Sequence, residues 1–73
     1  MFEKVLLIGA NEETLLPRVL RVLSKQGVQV RTLHMDCRGA SLSLEIELEN
    51  AAAAQVAKLL EKQVSVDSVQ TVA

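Results

Sequence analysis

The side chains able to do chemistry are few, and their spacing limits what they could do. His34 is the only histidine and Cys37 the only cysteine. A thiol beside an imidazole would make an activated nucleophile. Three residues apart in a strand and hairpin, however, these two point to opposite faces unless a bulge intervenes. A thiolate-pair metal site needs a second cysteine at short spacing, and Asn11-Glu12-Glu13-Thr14 stands in the first loop, where such a pair would sit. Glu45, Glu47 and Glu49 could form a carboxylate cluster for a metal or for acid–base work. Their period-two spacing equally describes a solvated or edge-protecting sheet face. Gly9 alone before a helix is no phosphate-binding fingerprint.

The segment Asn11–Thr14 has a further possibility. The first N–H groups of a helix are unpaired and carry the positive end of its dipole, so a carboxylate could dock there. Such a contact is worth about 0.3–1 kcal/mol when exposed. Thr14 acting as N-cap, with Glu12 and Glu13 favouring the dipole, accounts for the same residues without any ligand. These residues point to binding rather than catalysis, and no cofactor or metal is expected.

Composition narrows the partners. With 73 residues the chain is expected to form one domain, residues 1–73, whose core is small. The lone cysteine rules out an internal disulfide, so self-association is the expected source of added stability. No leader pattern is present, and with a single cysteine the expected compartment is the reducing cytoplasm. The longest apolar run, Val5 to Ile8, is far too short to span a bilayer. Net charge is −1 and Phe2 is the only aromatic. The chain therefore lacks both the basic surplus and the stacking platforms of a nucleic-acid binder.

The elements that must position these residues follow from periodicity. Residues 3–9 read as a strand with Val5 and Leu7 on one face and Leu6 and Ile8 on the other, which suggests a central strand. In residues 11–27, Leu15, Leu16, Val19, Leu20 and Leu23 form one helical stripe. Pro17 is tolerated only in the first turn, so Thr14 is expected at N-cap, and Gly27 ends the helix. Residues 28–36 read as a second strand whose apolar parity shifts between Val30 and Leu33, predicting a bulge or a change of face. A short turn at Cys37–Ala40 leads to residues 41–49, where Leu42, Leu44, Ile46 and Leu48 alternate with Ser41, Ser43, Glu45, Glu47 and Glu49. Asn50 is a natural N-cap for a helix over 51–63 buried through Ala52, Ala53, Val56, Leu59 and Leu60. Residues 64–72, with Val64, Val66, Val69 and Val72, read as the last strand. The order βαββαβ with right-handed crossovers predicts an α+β, ferredoxin-like fold. Its antiparallel sheet is expected in the order 4-1-3-2, with both helices on one face.

At residues 11–35 the chain resembles an ACT domain, and more narrowly the small regulatory subunit of acetolactate synthase (acetohydroxyacid synthase). The resemblance is carried by Asn11, Arg18-Val19-Leu20, Ser24 through Gly27, Val30, Leu33 and Met35, with Val64, Val66 and Val69 matching the last strand. It covers essentially the whole chain. It implies a non-catalytic subunit that binds and activates the large, thiamine-diphosphate-dependent catalytic subunit on the route to valine, leucine and isoleucine. It also implies a homodimer paired through the second strand and first helix, with a branched-chain amino acid as possible effector at the seam. Carried over by position, Asn11 and the backbone of Glu12, Glu13, Thr14 and Leu15 would face that effector, with Gln29 and Val30 across the seam. The sequence departs from the effector-binding type at Thr14, where a glycine is usual, and at Gln29, where an asparagine is common. A β-branched residue at 14 narrows the room for a ligand. The second domain of longer regulatory subunits is missing, so the short, activating kind is expected. Leu6 and Ile8, on the outer side of the first strand, are candidate contacts for the catalytic subunit. A stand-alone ACT module sensing an amino acid for another enzyme or regulator is the alternative.

Overall fold

The computed structural model describes residues 2–49 and 53–72. The chain runs β1 (Phe2–Ala10), α1 (Leu15–Lys25), β2 (Gln29–Arg38), β3 (Ser41–Glu49), α2 (Ala53–Glu61) and β4 (Val66–Val72). The four strands form one sheet in the order β2-β3-β1-β4, and every neighbouring pair is antiparallel. This is the ferredoxin-like α+β arrangement expected from the element order. β1 is an inner strand, as its two apolar faces suggested.

One face of the sheet carries both helices. Val5 and Leu7 of β1 and Leu42, Leu44, Ile46 and Leu48 of β3 meet Leu15, Val19 and Leu23 of α1 and Ala53, Val56 and Leu60 of α2. Among the described residues no polar or charged side chain is buried. The strict alternation of β3 becomes core and solvent faces without exception. Two helix stripes needed correction. Leu20 of α1 stays 43% exposed, because Leu15, Val19 and Leu23, at four-residue spacing, take the core line. On α2, Ala57 is buried where Leu59 is only half-buried. Asn50, Ala51 and Ala52 lie outside the described residues, and with them the Asn50 cap and the Ala52 contact. The Ala53 N–H donates instead to the Glu3 carboxylate at 2.9 Å, an anion near the start of α2.

Pro17 falls at the third position of α1, with Thr14 as N-cap. The Thr14 side chain makes no capping bond and its backbone is already helical. An N-cap oxygen normally accepts from the second or third helical N–H, and Pro17 has removed the third. At the other end, the Val28 N–H donates to the Leu23 carbonyl and the Gly27 N–H to Ser24, with Gly27 at φ 66°. This is a Schellman termination, which the glycine permits.

The parity shift in β2 is a bulge. Val30 stands opposite Leu48 and Thr32 opposite Glu47, leaving Arg31 as the extra residue. Val30 and Leu33 thereby reach the same, helix-covered face. The last strand starts later than its valines suggested. Val64 precedes it and is 74% exposed, while Ser65 takes φ 74° and its carbonyl accepts the Ala10 N–H at 2.8 Å. No helix is long and apolar enough to cross a membrane among the described residues.

Candidate functional site

The β1–α1 loop is fixed by hydrogen bonds to the β2–β3 hairpin and within itself. The Asn11 side-chain amide donates to the Gly39 carbonyl at 3.0 Å, and the Asn11 N–H to the Ala40 carbonyl at 2.9 Å. These bonds tie the loop to the β2–β3 hairpin. The Glu12 N–H donates to Ala10 and the Leu15 N–H to Glu12. Two of the first donors of the segment are therefore engaged within it.

Arg18 fastens the loop from the other side. Its guanidinium donates to the Val64 carbonyl at 3.0 Å, to the Thr14 carbonyl at 3.2 Å and to the Glu12 carboxylate at 3.3 Å. Glu12 thus pairs with a cation rather than acting only on the helix dipole. Nothing in the local pattern announces this role, because Val64 lies 46 residues away.

Between this loop and the ends of β2 and β3 lies an open cleft of about 500 Å³. Asn11, Glu12 and Glu13 supply its polar side, and Leu16, Pro17 and Met35 its apolar side, with Cys37 and Leu42 completing it. The arrangement suits a small molecule with one apolar and one polar end. Leu15 lies apart from it: the side chain is fully buried in the core. Thr14 is exposed, its hydroxyl 3.5 Å from Arg18. Gln29 and Val30 begin β2, whereas the cleft lies at the strand's other end, so within one protomer they do not join it.

The other candidate surface is the uncovered sheet face. Ile8 is 47% exposed there and Leu6 half-buried. A shallow trough of about 310 Å³ over Ser43 runs between Leu6 and Ile8 on one side and His34 and Asp36 on the other. Two of the three β3 glutamates on this face are paired. Lys4 and Glu45 lie 2.7 Å apart, and Arg31 reaches Glu47 at 3.3 Å. Glu45 sits on an inner strand, so it shields no edge. The hydrogen bond and then the charge attraction between the partners raise the Lys4 pKa above its ordinary value and lower that of Glu45.

His34 and Cys37 stand on opposite faces. His34 is paired in register with Glu45 on the open face, Cys37 with the buried Leu42. The β2 bulge lies before both, so it does not bring them together. Among the described residues no three His, Cys, Asp or Glu side chains converge on a possible metal position.

Neither a family model nor a curated protein sequence matches the chain. Solved structures do. The ACT domain of GTP pyrophosphokinase from Chlorobium tepidum superimposes with a TM-score of 0.84 at 13% identity, over 99% of this chain and 97% of that one. The regulatory subunit of aspartate kinase from Thermus thermophilus gives 0.80 at 12% identity, over 99% of this chain and 50% of its own length. The C-terminal domain of MgtC from Mycobacterium tuberculosis gives 0.74 at 16%, over 97% and 84%. At such identities the likeness is one of fold. The chain has the fold of an ACT domain.

Proposed function

We propose that the chain is a non-catalytic regulatory subunit that binds and activates the catalytic subunit of acetolactate synthase. The observation that carries the reading is the cleft between the β1–α1 loop and the open β2 edge. It offers a small-molecule surface whose thiol, Cys37, has no histidine beside it among the lining residues. The sequence resemblance over residues 11–35 supplies the particular enzyme, and the ACT-domain fold is compatible with it.

In this reading Asn11, Glu12 and Glu13 line the effector side, the backbone of Thr14 follows them, Leu15 supports them from the core, and Gln29 and Val30 arrive from a second copy paired through β2 and α1. A branched-chain amino acid would lay its side chain on Leu16, Pro17 and Met35. Leu6 and Ile8 offer the apolar part of the open face to the catalytic subunit.

Mixing the purified chain with its host's large subunit is expected to raise acetolactate formation, with co-elution of the two. Neither stimulation nor co-elution would remove the proposal. Tight binding of a branched-chain amino acid by calorimetry, without any effect on that enzyme, would favour the alternative of a stand-alone sensing module.

A further inference from the structure

We infer that the outer face of the helix layer, built by α1 and the end of α2, docks an acidic surface of a partner protein. The inference goes beyond the reading above and names no enzyme.

The net charge of −1 hides a segregation. On the strands acids outnumber bases. On the helices Arg18, Arg21, Lys25 and Lys58, with Lys62 in the turn after α2, stand against one acid, Glu61. Ion pairing divides the cations along the same line. Lys4, Arg31 and Arg38 hold acids of the sheet, and Arg18 holds Glu12. Arg21, Lys25, Lys58 and Lys62 are exposed, and among the described residues none of them has an ion-pair or side-chain hydrogen-bond partner.

These four belong to one surface. Arg21 and Lys25 lie one turn apart on α1. Lys58 and Lys62 lie one turn apart across the end of α2, where the Lys62 N–H still donates to the Leu59 carbonyl at 3.3 Å. The two helices touch, and Arg18, a neighbour of Arg21 on α1, reaches the Val64 carbonyl two residues past Lys62. Leu15, Val19 and Leu23 of α1 and Val56, Ala57 and Leu60 of α2 take the inward sides, so the cations point away from the sheet.

Like charges four residues apart on a helix repel, and each helix keeps one such pair. The helix dipole does not explain the pattern. It favours cations in the last turns, where Lys25 and Lys58 stand, but it equally favours acids in the first turns, and neither helix has one there. Nor does it call for Arg21 in mid-helix.

Charge selects the occupant. An anionic surface settling here relieves both repulsions and meets cations that no group of their own chain holds. The sheet face of a second copy fits poorly. Its Glu45 and Glu47 are already neutralised by Lys4 and Arg31, and stacking helix on sheet between identical copies does not close. A nucleic acid would need stacking aromatics, and Phe2 is the only one.

The test is an amide chemical-shift titration of the isotope-labelled full chain with a polyglutamate peptide of about ten residues. Shifts are expected at Arg21, Lys25, Lys58 and Lys62 at low salt, and their loss at about 1 M salt, where the screening length is about 3 Å. Arg21→Gln combined with Lys62→Gln removes one charge from each repelling pair. It is expected to weaken peptide binding about tenfold while melting no lower than the wild type. A lower melting temperature would show that these cations serve the fold, and overturns the inference. So does unchanged binding in the variant, or shifts confined to Lys4, Arg31 and Arg38. A stronger response to a single-stranded oligonucleotide of the same charge overturns the protein partner in favour of a nucleic acid. Salt-sensitive self-association of the wild type that the variant abolishes puts a second copy there instead. Acetolactate synthase enters none of these measurements, so the functional reading stands or falls on its own assay.

Discussion

Gly9→Ala changes one methyl group at the closest approach of two backbone segments. A Cβ on residue 9 would lie 2.4 Å from the Ser65 carbonyl oxygen, 3.1 Å from the Leu15 side chain and 3.3 Å from the Val66 Cα. The first and last of these are backbone atoms, so no side-chain rotation relieves them. The strand must separate from the α2–β4 connection, where the β1–β4 register already shifts between Ile8 and Gly9. Separation also stretches the 2.8 Å bond from the Ala10 N–H to Ser65. Overpacking of this kind costs about 1–3 kcal/mol and the lost bond about 1 more. A loss of about 2–4 kcal/mol is large for a chain of 73 residues, whose whole stability is expected at roughly 4–11 kcal/mol. The sign is informative, because Gly9 does not take a positive φ. Without the contact, alanine would stabilise the chain by about 0.4–1 kcal/mol through the unfolded state. In urea unfolding, with a slope of about 1 kcal/mol per molar, the midpoint is expected to fall by about 2 M or more. A midpoint unchanged or raised would refute the reasoning.

Two more perturbations test the supports of the candidate surfaces. The Lys4–Glu45 pair contributes stability above the ordinary glutamate value that is lost as pH falls through the depressed Glu45 pKa; on the Lys4 side it is lost as pH rises through the raised lysine value. Lys4→Met should therefore flatten the acid limb of the melting temperature against pH, at and below the ordinary glutamate value of about 4.5. An acid limb superimposable on the wild type would contradict the pairing. Arg18→Met keeps the aliphatic stem but removes the bonds to Val64, Thr14 and Glu12. The expected cost is about 1 kcal/mol, since these bonds are exposed, with faster hydrogen exchange at Ala10 and Val66. Unaltered exchange at both amides would show that Arg18 does not tie the loops.

What the sequence settled by itself is local. The alternation of Leu42 to Leu48 determined which face of β3 is buried, because strand side chains alternate with period two. The odd spacing of Val30 and Leu33 called for a bulge or a change of face, and the structure has the bulge, whose extra residue puts both on the covered face. Pro17 and Gly27 marked the ends of α1, because one lacks an N–H and the other tolerates a positive φ. The tertiary structure decided how these pieces meet. Thr14 reads as a capping residue, yet its hydroxyl turns to Arg18 in a helix whose third position is proline. The three glutamates of β3 read as a cluster, yet Lys4 and Arg31 come from neighbouring strands to neutralise two of them. Glu3 finds Ala53 at a separation of 50 residues, and Arg18 finds Val64 at 46. The physical reason is one of range. Side-chain periodicity and backbone preferences act over a turn or a strand, whereas the ion pairs, the Gly9 approach and the cleft exist only once sheet order and register bring distant segments side by side.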